Sequence, residues 1–341
     1  MRTLGDIAKE AGVSVSTVSR ALEGSPVVNS KTAEQIRKLA EERGYKVNRL
    51  ARDLARRQSR VIGVVVPEVE NPYFPQLIDA LARFARQKGY VVIPAFSGAG
   101  QEDEVSSLQL LEGMRARAAI IVTGRRGFPG IEVARSLQAR GTGIVVLGWA
   151  EGSEDFDNVY ADDPEGMAAL TRYLIGLGHR EILLVADSPE RGERDRIRGF
   201  ADEMQRHGLW REERIVTGIA DGETLERFLD YIHADPDRPT AIIGYHDILA
   251  ARVLRGLQDR GVRVPEEISI AGFDNLSFGE FLRPGLTTVD LSVSDHAASA
   301  LRLLLERLET AELHRPPRRA VLAPSIVIRA SCSAPRVIAT H

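Results

Sequence analysis

The chain's 341 residues, 43% hydrophobic and 27% charged, have the balance of a soluble globular protein of two or three domains. Apolar runs too short to cross a membrane, no signal peptide and a single cysteine, Cys332, exclude membrane, secreted and disulfide-framed classes and fit a reducing cytoplasm. The net charge of −3 divides unevenly: residues 1–60 carry 13 Lys and Arg against 7 acids, which is +6, and the remainder carries −9.

A basic head on an acidic body is expected to meet a polyanion through the head, although an ordinary solvated surface gives the same count. Three short helices are predicted there. Thr3 caps one in which Leu4, Ile7 and Ala8 share a face, and Gly12 then permits a tight turn. A second starts at Ser14, with Val18, Ala21 and Leu22 inward. A third is capped by Asn29 and repeats Ala33, Ile36, Leu39 and Ala40 at helical spacing up to Gly44. The pattern is a helix-turn-helix with a supporting helix. A helix laid in a major groove needs small residues at its start, and AGVSVSTVSRAL provides them. Val15 and Ser16 would face the groove, Arg20 would fork onto guanine O6 and N7, and Ser14, Thr17 and Ser19 suit phosphates. Hydroxyls at a helix start also serve simple capping, so the whole pattern carries the reading rather than any one residue.

TLGDIAKEAGVSVSTVSRALEG, continued by VNSKTAEQIRKLAEERGYKVN, resembles the head of the LacI/GalR family of bacterial transcription regulators. The resemblance runs through nearly the whole chain. It implies that Thr3, Ser14, Thr17, Ser19 and Asn29 hold phosphates while Leu4, Val15, Ser16 and Arg20 face bases. Two positions depart from the family pattern: Glu23 stands where Asn is usual, and Val47 where Pro usually precedes Asn48.

In NRLARDLARRQSR, residues 48–60, Asn48 can cap a helix with Leu50, Ala51 and Leu54 on one side and Arg49, Arg52, Arg56 and Arg57 around it. So short a helix does not stand alone in water, and a basic linker without structure is the plain alternative. The resemblance implies a hinge that folds on operator DNA beside its twin from a second subunit. Leu54 then matches the residue that wedges between base steps in the minor groove.

From Val61 onward, strands are expected at 61–66, 90–95, 118–122, 143–147, 181–186, 241–245 and 268–273. Helices fall between them, for example at 75–87, 101–114, 164–177, 195–206, 247–260 and 293–312. The fold class is α/β, with parallel sheets covered by helices, one sheet before about residue 160 and one after it. Two lobes facing each other at strand ends would close on a small molecule. The resemblance implies a two-lobed body like that of periplasmic binding proteins. The organisation expected is a head at 1–47, a hinge at 48–60 and an effector-binding and dimerisation body at 61–341. Lobe one then takes about 61–160 and 291–321, and lobe two about 161–290 and 322–330.

Several loops after strands carry candidate ligand groups. Tyr73 and Phe74, in NPYF, put two aromatics at the first strand–helix junction. Packing explains them equally well, and the resemblance implies stacking on a sugar or purine. By spacing alone Arg196 is a surface partner of Glu193 or Glu203; by resemblance it forks onto ligand oxygens. In YHDILA, Asp247 reads as the helix cap, and His246 takes a family ligand position often held by Asn. Asp274, ending AGFDN, is a turn aspartate or, by resemblance, an acceptor for ligand hydroxyls. Trp149, after Gly148, joins the effector set where many relatives carry Asp. The aromatic that some relatives have near Ile219 and Ala220 is missing.

The seven histidines are scattered, and neither HExxH, CxxC nor a phosphate-cradling loop occurs. An enzyme is therefore not expected, nor a cofactor, nor a metal. A secreted sugar receptor without a DNA role would share the body, but the basic head opposes it. The expected function is a dimeric repressor of sugar uptake or catabolism genes, cytoplasmic and associated with the nucleoid. It would bind double-stranded operator DNA and be released by a sugar or sugar derivative. A corepressor-dependent, purine-type regulator is the alternative.

Overall fold

The structure is a computed structural model that describes residues 3–22, 24–44, 59–98, 101–123, 128–187, 193–219, 221–309 and 315–336. The chain divides into two compact units, Met1–Ser59 and Arg60–His341.

In the first unit, α1 (Leu4–Glu10) starts at a capping box. Thr3 Oγ1 accepts from the Asp6 N–H at 3.2 Å, and the Asp6 carboxylate accepts from the Thr3 N–H at 2.8 Å. Ser14 Oγ caps α2 (Val15–Leu22) by accepting from the Thr17 N–H at 3.2 Å, and Asn29 Oδ1 caps α3 (Ser30–Glu42) through the Lys31 N–H at 2.9 Å. Ile7, Ala8, Val18, Ala21, Ala33 and Ile36 form one core between the three helices. Arg43 pairs with Glu10, and Arg37 Nε donates to the Ala21 carbonyl at 3.4 Å, so α3 braces both other helices.

The second unit holds two parallel sheets. The first contains β1 (Val61–Val66), β2 (Val91–Phe96), β3 (Ala118–Val122), β4 (Gly143–Leu147), β5 (Asp157–Ala161) and a strand from late in the chain, β11 (Arg319–Leu322). Its order is β11-β5-β4-β3-β1-β2, with Ile62 beside Ala118 and Ala118 beside Gly143. The second contains β6 (Ile182–Val185), β7 (Ile215–Val216), β8 (Ala241–Gly244) and β9 (Ser269–Ala271), ordered β7-β6-β8-β9. A short antiparallel pair, β10 (Thr288–Asp290) with β12 (Ser325–Val327), completes the described strands.

Helices cover both faces of each sheet. On the first, α4 (Tyr73–Gln87) and α11 (Val293–Glu309) pack one face, while α5 (Gln101–Gly113) and α6 (Ile131–Ala139) pack the other. On the second, α7 (Asp163–Gly176) and α8 (Glu193–Arg206) lie opposite α9 (Gly222–Ala234) and α10 (Asp247–Asp259). Because both faces are covered, AAIIV and GIVVL are buried along their whole length and read as unbroken apolar runs rather than alternating ones.

The late return to the first sheet is fastened by a buried charge cluster. Asp157, fully buried at the start of β5, accepts from Arg307 Nε, Arg315 Nη2 and the Arg318 N–H, each at 2.8 Å. Burial alone would raise its carboxyl, but these donors outweigh it and hold the group below the usual carboxylate range.

The expected strands at 61–66, 118–122 and 143–147 stand at those bounds, and the expected helices of the head and of the body after Val61 begin within two residues of their predicted starts. The helices at 131–139 and 222–234 and the strands at 157–161, 215–216, 288–290 and 319–322 were not anticipated. Residues 157–161 carry Asp, Asn and Tyr, and their sequence alone gives no clean period of two. They form a strand because the sheet edges on either side supply the pairing.

Candidate functional site

On the first unit, α2 presents Val15, Ser16 and Arg20 outward, with Val15 49% exposed although apolar. Ser14 Oγ lies 2.8 Å from both Ser16 Oγ and Thr17 Oγ1, a cluster of hydroxyls at the exposed start of the helix. Thr17 and Ser19 are half-buried on its flanks, Thr3 and Asn29 sit at the starts of the neighbouring helices, and Leu4 packs partly against the core.

In the second unit, a cavity of about 940 Å³ opens at the carboxyl ends of the parallel strands. Arg196, in the first turns of α8, is its organising residue. Its Nε donates to Asp163 at 2.9 Å, Nη1 to the Tyr245 carbonyl at 2.8 Å and Nη2 to Asp274 at 3.0 Å. The guanidinium also lies 3.8 Å from the Phe273 ring centroid and 4.8 Å from that of Tyr245. Burial works against its charge, but Asp163 and Asp274 prevail and keep it a cation. Burial likewise pushes the Asp274 carboxyl up, against the pull of Arg196, and Asp274 holds a left-handed backbone with φ 105°.

His246 sits beside this group as the cap of α10. Its Nδ1 accepts from the Leu249 N–H at 3.1 Å, so its proton is on Nε2, which donates to Asp187 at 3.3 Å. Asp247 is not the cap that its position in YHDILA suggests. It is fully buried, drawn inward by the Leu276 N–H at 2.7 Å and the Thr288 hydroxyl at 2.5 Å, which leaves the capping lone pair to His246.

Aromatic surfaces complete the wall. Tyr73 and Phe74 open α4 with their rings edge to face at 5.5 Å. Burial, then Asp274 and Asp163, push the Tyr73 hydroxyl above its ordinary range, so it stays protonated. Gly148, at φ 91°, has no room for a Cβ, which would stand 2.2 Å from the Thr123 carbonyl. The turn it makes delivers Trp149 to the cavity.

Two family models match: residues 3–48 fit the bacterial regulatory proteins of the lacI family, and residues 171–332 fit a periplasmic binding protein-like domain. The chain is 31% identical to the HTH-type transcriptional regulator GalR of Escherichia coli K12, over 100% of this chain and 98% of that one. It belongs to the LacI family. Another member, the HTH-type transcriptional repressor PurR of Vibrio vulnificus, is 29% identical over 96% of this chain and 98% of its own. Among solved structures, the Lac repressor dimer bound to operator and the anti-inducer ONPF superposes with a TM-score of 0.86 at 24% identity, covering 98% and 99% of the two chains. The CelR–cellobiose complex gives 0.70 at 24% identity, covering 97% and 100%. These two show that the LacI-family fold is shared.

For this LacI-family chain, the candidate effector residues Tyr73, Phe74, Trp149, Arg196, His246 and Asp274 all line one cavity. Arg196 does not pair with Glu203, which is taken by Arg172 and Arg206. Leu54, Glu23, Val47, Asn48 and Ala220 lie outside the described residues. Asp163, Asp187, Tyr160, Tyr245, His296 and Arg319 also line the cavity and were missed. Asp162 and Asp163 are adjacent at one helix start, and sequence does not reveal that the first caps the helix while the second reaches Arg196.

Proposed function

We propose that the chain is a ligand-responsive, sequence-specific DNA-binding repressor of genes for sugar uptake or breakdown, working as a cytoplasmic homodimer. The observation that carries this reading is the exposed row Val15, Ser16 and Arg20 along α2, in a basic head. In this reading α2 enters the major groove, Arg20 forks onto a guanine, and the serine and threonine hydroxyls with Asn29 fix the flanking phosphates. Two heads read the halves of a near-palindrome with a central CG step. The segment 48–60 couples body to head, with Leu54 as its wedge in the minor groove.

The cavity of the second unit takes the effector. Arg196, His246 and Asp274 mix donors and acceptors as hydroxyls do, and Tyr73, Phe74 and Trp149 offer faces for ring stacking. An effector shifts DNA affinity only as far as it prefers one state of the protein. A hundredfold change corresponds to about 2.7 kcal/mol of coupling.

The test is selection of duplexes from a random pool by the full chain, followed by anisotropy titration of the winner with and without sugars. A near-palindrome, bound far tighter than its scrambled version and released by a sugar, is expected. Equal affinity for both duplexes overturns the reading. Binding tightened by the ligand makes it a corepressor instead of an inducer.

A further inference from the structure

The cavity has two chemically different ends. One is polar, with Arg196, Asp274, Asp163, Asp187 and His246 drawn from elements that follow or precede the second sheet's strands. At the other, on the first sheet, stands Trp149, 47% exposed on the wall, with the Tyr160 ring tilted against it at 5.9 Å and the Arg319 guanidinium 5.5 Å from its centroid. An indole half exposed and braced in place is a stacking platform, and nothing among the described residues covers it. Between the ends lies the cavity of about 940 Å³, near the top of the roughly 300–1,000 Å³ found for drug-sized ligands and roomy for one six-membered ring.

Charge narrows the ligand further. Among the described residues, seven carboxylates line the cavity against three guanidiniums, and the most buried of these, Arg196, already serves two of those carboxylates. From these described residues a phosphate or carboxylate would meet net repulsion in a partly desolvated site. Hydroxyls fit, because each can donate to Asp163, Asp187 or Asp274 while accepting from Arg196, or from His246 Nε2 in place of Asp187.

Resting on the reading of this cavity as the effector site, we propose that the effector is an uncharged glycoside of at least two rings. The first ring hydrogen-bonds to the Arg196–Asp274–His246 end, and Trp149 stacks on the second and so selects for length.

Trp149 and Trp210 are the chain's two tryptophans, and Trp210 packs on Phe200 at 6.4 Å. In a Trp210→Phe background, fluorescence therefore reports Trp149 alone. The full chain is titrated with cellobiose, maltose, lactose, sucrose, trehalose and melibiose, with their constituent monosaccharides, with glucose 6-phosphate and with hypoxanthine. At least one disaccharide is expected to shift the emission and to bind at least roughly tenfold more tightly than its monosaccharides. Titration calorimetry reads the variants that lack this indole: Trp149→Ala should remove about that tenfold, Trp149→Phe should restore most of it, and monosaccharide affinity should move less than about twofold in either. Silence from every disaccharide, tighter binding of a monosaccharide, or preference for glucose 6-phosphate or hypoxanthine overturns the proposal. Anisotropy of the selected duplex separates this from the regulator reading. A disaccharide that binds with this dependence on Trp149 but leaves DNA affinity unchanged sinks the effector role and keeps only the assignment of the cavity's ligand, whereas DNA release by a monosaccharide or sugar phosphate keeps the effector role and overturns the two-ring proposal.

Discussion

Arg196 and Asp274, 78 residues apart in sequence, meet at 3.0 Å with the guanidinium stacked on Phe273, the residue just before Asp274. The pair joins α8 to the loop after β9, and Asp163 completes it from the first turn of α7. Three elements of the second unit are thus fixed around one cation, and any ligand that rearranges its hydrogen bonds acts on all three.

Asp274→Asn keeps shape and one acceptor but removes charge. It should lower affinity for a bound sugar by about tenfold or more in titration calorimetry, while operator affinity without sugar stays within about twofold. Arg196→Ala leaves Asp163 and Asp274 without their cation. It should therefore also lower stability, by about 3–5 kcal/mol in urea unfolding, as expected when one partner of a buried ion pair is lost. Sugar affinity at the wild-type level in both variants would refute the site.

Arg20→Ala tests the head by itself. The side chain is exposed on α2 and contributes nothing to the Ile7–Val18–Ile36 core, so the fold should be unaffected. Operator binding should weaken by about 1–3 kcal/mol, and the preference for one guanine per half-site should relax. An unchanged ratio of operator to scrambled affinity would show that Arg20 touches phosphate and not a base.

Gly199 sits where α8 passes close to the start of α7. A Cβ there would stand 2.1 Å from the Pro164 carbonyl, which is backbone and cannot swing aside. Gly199→Ala must push the helices apart, and Arg196 lies one turn upstream of it, facing Asp163. A loss of about 1–3 kcal/mol in urea unfolding is expected, accompanied by weakened sugar binding. Lost stability with normal sugar affinity would mean that the helix shifts without carrying Arg196.

Much of this was legible because local pattern and tertiary environment agree. VIGVVV and AAIIV are apolar throughout because helices cover both faces, and the small polar start of α2 is exposed, as its residue types suggest. The cavity was legible only in part. Arg196 could be placed on a helix, but its partners Asp163 and Asp274 are 33 and 78 residues distant, and proximity in sequence favoured Glu193 and Glu203. The His246–Asp247 exchange was hidden for a similar reason. Asp is the better cap by preference, yet Thr288 and the Leu276 N–H, contributed from beyond β9, claim its carboxylate.

The two fully buried aspartates, Asp247 and Asp157, give the fold opposite responses to pH. Asp247 has its carboxyl pushed up to about 7 by burial, against 3.8 ordinarily, with the Thr288 hydroxyl and Leu276 N–H only partly offsetting that and nearby Asp274 adding to it. A raised pKa means that the folded state holds this proton more tightly than the unfolded chain does. Its contribution is complete below about pH 4 and is lost as the pH rises through about 7. Asp157 has the reverse sign: its depressed carboxyl stabilises the fold above the ordinary carboxylate range and gives this up as the pH falls. Asp247→Asn keeps an acceptor for the Leu276 N–H, sets an amide N–H where Asp247 accepts from the Thr288 hydroxyl, which must turn to accept in its place, and removes the titration. Relative to wild type it should therefore gain on the order of 1–2 kcal/mol between pH 5.5 and 7.5. Asp157→Asn should instead cost about 3–5 kcal/mol at pH 7, because Arg307 and Arg315 lose their counter-charge, and the deficit should shrink toward pH 3. Urea unfolding of both variants at pH 3, 5.5 and 7.5 measures this. Parallel pH profiles for wild type and Asp247→Asn would show that Asp247 is ionised in the fold throughout, held by Thr288 and Leu276 as a carboxylate.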